Sequence, residues 1–259
     1  MINNVVSFVG AGRVGSVMCR ELFKNGFVID TIISASETGG QALANECKAS
    51  WTSKLTIPET TDIVIVAVPD RKLKSILGRL KCKPETIVAH TAGSIGLDIF
   101  PDGIVNRGVI YPLQTFSHNR KVNFRDLPVF IESSNTETSS VLAEIAGRLG
   151  ARIYYADTEH RRKLHLAAVF ACNFTNHMMT LGKELAENAG YTFEEMKPLI
   201  QETFVKAFEA GPENSQTGPA VRNDKNTVRK HLELLSFDRD LQIIYRKISK
   251  SIYKYHKKK

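Results

Sequence analysis

The chain reads as an α/β protein, a doubly wound, mostly parallel sheet followed by an all-helical C-terminal domain. Three observations predict this. Short β-branched runs alternate with helical stripes as far as residue 155, a near-continuous apolar strand lies in the middle of that stretch, and the strand signal disappears after Asp157.

The first strand is Val5–Val9 (VVSFV), which ends at Gly10. Apolar residues at Val14, Val17, Met18, Leu22 and Phe23 then recur at helical spacing, and Gly26 supplies the stop. Residues 27–33 predict a second strand and residues 41–47 a short helix. Ile63–Val68 (IVIVAV) is apolar throughout, as a strand buried on both faces of a parallel sheet must be. Pro69 ends it, and Asp70 is placed to cap a helix running to Leu80. Strands are expected at 86–89, 104–111, 128–131 and 151–155, with a helix over 137–149 before the last. Helices are expected over about 159–189, 192–210, 219–235 and 238–256, placing a domain boundary near residue 156. The two domains are then 1–156 and 157–259.

Composition excludes several classes. No run of about 18 apolar residues is present, so no membrane-spanning helix is expected. The first strand begins too near Met1 for a secretory leader. Cys19, Cys47, Cys82 and Cys172 are far apart and lack His at ligand spacing, which predicts buried free thiols in a reducing cytoplasm and no metal site. The net charge of +8 is concentrated in residues 246–259, which carry +7. A solvated helix end suited to the macrodipole explains this tail, and no aromatic-studded basic face supports specific nucleic-acid binding. A tail that did bind nucleic acid would lose that binding on deletion of residues 246–259.

Gly10-Ala11-Gly12-Arg13-Val14-Gly15 is a GxGxxG between a strand and a helix, with a second strand following. That context predicts a Rossmann-type dinucleotide site: a tight turn at Gly10, close approach of pyrophosphate at Gly12, and helix–strand packing at Gly15. The unpaired N–H groups of the first helical turn face the phosphates. The strand-end residues Val68, Pro69, His90 and Thr91 are expected to line the same cofactor site. NAD sites carry an acid near the end of the second strand, but here the residues are Ser34, Ala35, Ser36 and Glu37. Asp30 falls too early. Ser34 and Ser36 could hydrogen-bond a 2′-phosphate with Arg13 or Arg71 supplying charge, or Glu37 could read a ribose; NADP is favoured, with NAD open.

Polar residues follow two later strands, as His90-Thr91-Ala92-Gly93-Ser94 and Tyr111-Pro112-Leu113-Gln114-Thr115-Phe116-Ser117. His90 could equally satisfy a backbone carbonyl, and the Tyr-Pro turn could be ordinary loop chemistry. These two segments and Thr217-Gly218-Pro219-Ala220-Val221-Arg222-Asn223-Asp224, with His231-Leu232 after it, resemble a family of Rossmann-like proteins. Its members are labelled NADP-dependent oxidoreductases and have no assigned substrate. The chain is more distantly similar to ketopantoate reductase, pyrroline-5-carboxylate reductase and the β-hydroxyacid dehydrogenases. The resemblance implies a Rossmann domain, a helical domain that mediates homodimerisation, and a small-molecule substrate.

In the β-hydroxyacid dehydrogenases the helix after the boundary carries a Lys and, four residues on, an Asn. Here Lys163 is followed at that spacing by Ala167, and His165 by Val169. At about 100° per residue, His165, Asn173 and Asn176 fall on one stripe of an otherwise apolar helix. They therefore face either a cleft or satisfied neighbours. His165 is the nearest substitute for the Lys as proton donor, or it is a core or capping histidine. Ser94, Asn173 and Asn176 join it as candidate catalytic residues. Arg222 could clamp a substrate carboxylate with Asp224 orienting it, or both could serve the helix start. The function expected is hydride transfer between NADP(H) and a small carbonyl, imine or hydroxyacid. The alternative is a non-catalytic cofactor sensor.

Overall fold

The alternation of apolar runs and amphipathic helices is realised as one eight-stranded sheet, seen in a computed structural model that describes residues 5–117 and 122–258. In chain order the first elements are β1 (Val5–Val9), α1 (Arg13–Lys24), β2 (Val28–Ile33), α2 (Glu37–Glu46) and β3 (Ser50–Thr52). They are followed by β4 (Ile63–Val66), α3 (Asp70–Leu77), β5 (Ile87–His90), β6 (Arg107–Pro112), β7 (Pro128–Ser133), α4 (Thr136–Arg148) and β8 (Arg152–Tyr155). The spatial order is β3-β2-β1-β4-β5-β6-β7-β8, and only β6 and β7 pair antiparallel. The chain turns one way from β1 to β2 and the other way from β1 to β4. The crevice at that reversal, beyond the carboxyl ends of β1 and β4, is where open α/β sheets bind ligands.

Core packing explains why the strands read as they do. All four residues of β4 are buried. Ile63 and Ile65 pack with Phe8, Ile32 and Leu142 on one face, while Val64 and Val66 pack with Leu73, Leu77 and Phe100 on the other. A strand flanked on both faces by such layers needs an unbroken apolar run. β3 went unanticipated because its three residues, Ser50, Trp51 and Thr52, are too few to show a period.

Two compact units divide the chain, Met1–His177 and Met178–Lys259. The anticipated boundary near 156 marks the end of β8, but the first unit continues through α5 (Thr158–Ala168) and a π-helical turn at Val169–Phe174. The reason is a fully buried side chain, Arg161, that ties α5 to the sheet. Because β7 and β8 run against the other strands, α5 starts low on the sheet and climbs toward the carboxyl ends of β5 and β6. The helix anticipated over 159–189 is therefore α5, the π-turn and α6 (Thr175–Asn188) in succession.

The second unit contains most of α6, α7 (Lys197–Ala210), the short α8 (Pro212–Ser215), α9 (Lys225–Leu234) and α10 (Arg239–Lys257). Asp224 caps α9 and Asp238 caps α10. Leu241, Ile244, Ile248 and Ile252 form one stripe of α10 and line an apolar groove of about 350 Å³ with Leu181 and Leu185. Lys259, the end of the basic tail, lies outside the described residues.

Candidate functional site

The glycine turn closes around the ends of β1 and β4. Gly10 has φ +108°, which L side chains rarely adopt, and a Cβ there would overlap the carbonyl oxygen of Ala67. Its N–H donates to the Ile33 carbonyl at 2.8 Å. A Cβ on Gly15 would strike the Gly10 carbonyl, so that glycine lets α1 pack against the turn. Gly12 differs, since no atom lies within 4 Å of its Cβ position. It is the N-cap of α1, no side chain caps the helix, and no acid occupies the first turn. The positive helix end is thus free for an anion, and a dinucleotide pyrophosphate fits the space that a side chain on Gly12 would fill.

A cleft of about 510 Å³ opens from this turn. It gathers Gly10, Ala11, Gly12, Ser34, Ser36, Val68 and Pro69 from the anticipated cofactor set. Arg13, Val14, Gly15, His90 and Thr91 do not line it; Gly15 is buried behind the turn and Arg13 is exposed beside it. Ser34 donates its hydroxyl to the Ser36 carbonyl at 2.7 Å and accepts from Trp51 Nε1 at 3.0 Å. Ser36 caps α2, accepting from the Gly39 N–H. Both serines therefore serve the local turn. Asp30 accepts the hydroxyls of Thr60 and Thr61 at 2.5 and 3.0 Å, pointing away from the cleft. Lys72 and Arg79 do line it, and the sequence reading had not singled them out.

A second polar cluster gathers around β5 and β6. Tyr111, within β6, places its hydroxyl 3.1 Å from His165 Nδ1, and its ring lies where a Cβ on Gly93 would be. Burial raises the Tyr111 phenol above its ordinary range, so it stays protonated at neutral pH. Ser94 donates to Asp70 at 3.1 Å, and the Ser94 carbonyl accepts from Arg162 Nε at 2.8 Å. His90 is fully buried beneath this loop. Its Nδ1 accepts the Ala92 N–H at 3.2 Å, while Nε2, turned toward the Gly96 backbone, makes no hydrogen bond among the described residues. Desolvation, with help from the Arg161 charge, pushes its pKa down to about 4. His90 is thus a neutral support of the loop.

Arg161 organises the cluster from below. Its Nη1 donates to the carbonyls of Ala92, Gly93 and Ile95 at 3.3, 3.1 and 3.0 Å, and Nη2 pairs with Glu132. Thr158 also donates to Glu132 at 2.8 Å.

The shared stripe expected for His165, Asn173 and Asn176 assumed an uninterrupted α-helix. The π-turn at Val169–Phe174, which includes Asn173, interrupts the 100° progression, and both asparagines are exposed. Arg222 and Asp224 belong to the second unit. There Asp224 accepts the N–H and hydroxyl of Thr227 at 3.0 and 2.7 Å, and these bonds hold its carboxyl below the usual range. The capping explanation accounts for Asp224. The thiols also differ in part from expectation: Cys19 and Cys47 are buried and 3.6 Å apart, but Cys172 is exposed.

A glycine turn at a topological switch point, joined to a helical unit, defines a Rossmann-type nucleotide-binding protein. The chain belongs to the family that pairs a Rossmann-like domain, matched over residues 3–116, with a domain of unknown function, DUF2520, matched over residues 127–252. A Bacteroides fragilis protein named as a candidate NADP oxidoreductase is 38% identical, with a TM-score of 0.88 over 96% of this chain and 98% of its own. Protein TM1727 of Thermotoga maritima shares the fold at 22% identity and a TM-score of 0.71, over 98% of both chains. Pyrroline-5-carboxylate reductase of Methanosarcina acetivorans is 30% identical over 111 residues, 40% of this chain. That match spans only 41% of the reductase's length. No helix among the described residues is long and apolar enough to cross a membrane.

Proposed function

We propose that this chain is an NADP(H)-dependent oxidoreductase acting on a small carbonyl, imine or hydroxyacid. The observation that carries the reading is the Tyr111–His165 pair, set at the carboxyl edge of the same sheet whose glycine turn leaves an anion-ready helix end. Gly10, Ala11 and Gly12 cradle the pyrophosphate, and Val68 and Pro69 form the adjoining wall. The nicotinamide, when bound, supplies or accepts the hydride. His165 gives the accompanying proton to the carbonyl oxygen or imine nitrogen being reduced, and takes it back in the reverse direction. Tyr111 holds the imidazole by its hydroxyl, and Ser94 with Asp70 borders the substrate side. NADP is preferred because no Asp or Glu lines the described cleft to read an adenosine 2′-hydroxyl.

The active form is a homodimer built through the helical unit. α7 leaves Leu199, Val205 and Phe208 exposed, Phe208 at 84%. Large apolar side chains left exposed on a helix are what a protein contact would cover. The free thiols suit a reducing cytoplasm.

Titration with NADPH and NADH, followed by turnover on a panel of keto acids and cyclic imines, tests the reading. Tight NADPH binding with turnover of one member supports it. Binding without any turnover replaces it with a cofactor sensor, and no binding of either cofactor overturns it. Light scattering should give twice the chain mass, and Phe208→Glu should halve it.

A further inference from the structure

We propose that Lys72 of α3 and Arg79 of the turn that follows it read the adenosine 2′-phosphate and set the preference for NADP over NAD. The proposal rests on the nicotinamide-cofactor reading above and assigns its specificity to residues outside the β2 end.

Lys72 and Ile76 share one face of α3, and Arg79 lines the same cleft from the turn after the Gly78 C-cap, where its N–H donates to the Ile76 carbonyl at 3.1 Å. Leu73 and Leu77 on the adjoining face are fully packed into the core, which fixes the rotation of the helix. The Lys72 face is therefore held against the cleft. Its facing wall is Ser34-Ala35-Ser36, where the adenosine ribose of a bound dinucleotide lies. Ile76 and Leu55 give the base an apolar surface between the two cations.

The other candidates from the β2 end and the glycine turn are either engaged elsewhere or do not line the cleft. The hydroxyl of Ser34 is donated to the Ser36 carbonyl, and Ser36 caps α2. Asp30 holds two threonines. Glu37 opens the first turn of α2 and does not line the cleft, and neither do Arg13 and Arg71. Among the described residues, no carboxylate pairs with Lys72 or Arg79. Arg79 spends only Nε, on the Ser75 carbonyl at 3.2 Å, which leaves its terminal nitrogens available. A 2′-phosphate brings a charge near −2 and three acceptor oxygens. A guanidinium fork and an ammonium suit it through charge-assisted bonds. A plain 2′-hydroxyl gains nothing comparable.

The test is a fluorescence titration of wild type, Lys72→Met, Arg79→Met and the double variant with NADPH and NADH, with thermal melts as a folding control. Each single variant should lose about tenfold in NADPH affinity, the double variant more, and NADH affinity should change less than about twofold. Arg79→Lys should recover part of the loss. A wild type that prefers NADPH, with folded variants that keep that preference, overturns the assignment and leaves the cofactor reading standing. A wild type that binds NADH as well as NADPH overturns the assignment and the NADP preference together, while the nicotinamide reading survives. Failure of wild type to bind either cofactor sinks both.

Discussion

The Tyr111 hydroxyl meets His165 Nδ1 at 3.1 Å across 54 residues of sequence. Strand reversal makes the meeting possible. With β7 and β8 antiparallel to the rest, α5 rises from the level of Glu132 and delivers His165 beside the end of β6. His165→Gln should therefore lower turnover at least about tenfold while leaving NADPH affinity unchanged. Tyr111→Phe, which keeps the ring over Gly93, should cost less than the histidine change. Steady-state kinetics beside cofactor titration checks both, and unaltered turnover in His165→Gln removes that residue from the chemistry.

Gly12 and Gly15 should respond in opposite ways. Space is open around Gly12, so Gly12→Val should melt within a degree or two of wild type yet lose cofactor binding, because the new side chain occupies the pyrophosphate position. A Cβ on Gly15 collides with the Gly10 backbone, so Gly15→Val should destabilise the fold by about 2 kcal/mol or more. Paired urea unfolding and binding curves separate the two effects.

His90 makes stability depend on pH in a defined window. Its pKa falls from the unfolded value of 6.5 to about 4 in the folded chain, so between those values the unfolded state binds the extra proton. The stabilisation is complete above 6.5 and is lost as pH falls through about 4, a change on the order of 3 kcal/mol. His90→Asn should unfold with a shallower pH dependence than wild type across that window. Equal slopes for the two proteins would contradict the burial argument.

Removing Arg161 strands Glu132 and frees three loop carbonyls. Arg161→Met should cost about 3 kcal/mol in urea unfolding, the scale of breaking a buried ion pair from one side. Arg161→Lys keeps the charge but cannot fork between Glu132 and three carbonyls, so it should fall between Met and wild type.

The glycine turn was legible because a tight turn, a close approach and a helix contact each demand a missing Cβ, and the three demands leave a fixed spacing. β4 was legible because burial on both faces forces four consecutive apolar residues. Arg161 was hidden in a run of polar residues beside Arg162. Only tertiary partners decide which of two adjacent arginines is buried. The π-turn that interrupts the even progression from His165 through Asn173 to Asn176 was not legible, because such a turn has no fixed composition. Lys72 and Arg79 carried the right charge, but their role shows only once Ser34 and Asp30 are seen to be occupied.

A cleft walled by two cations and no described carboxylate also affects how fast it fills. Polyanions drift toward such a wall before any fitted contact forms, so capture outpaces that of an uncharged groove of equal shape. The pull reaches only about 8 Å at physiological ionic strength and farther as ions are withdrawn. Association of a triply or quadruply charged dinucleotide should thus quicken in dilute buffer, with escape altered much less.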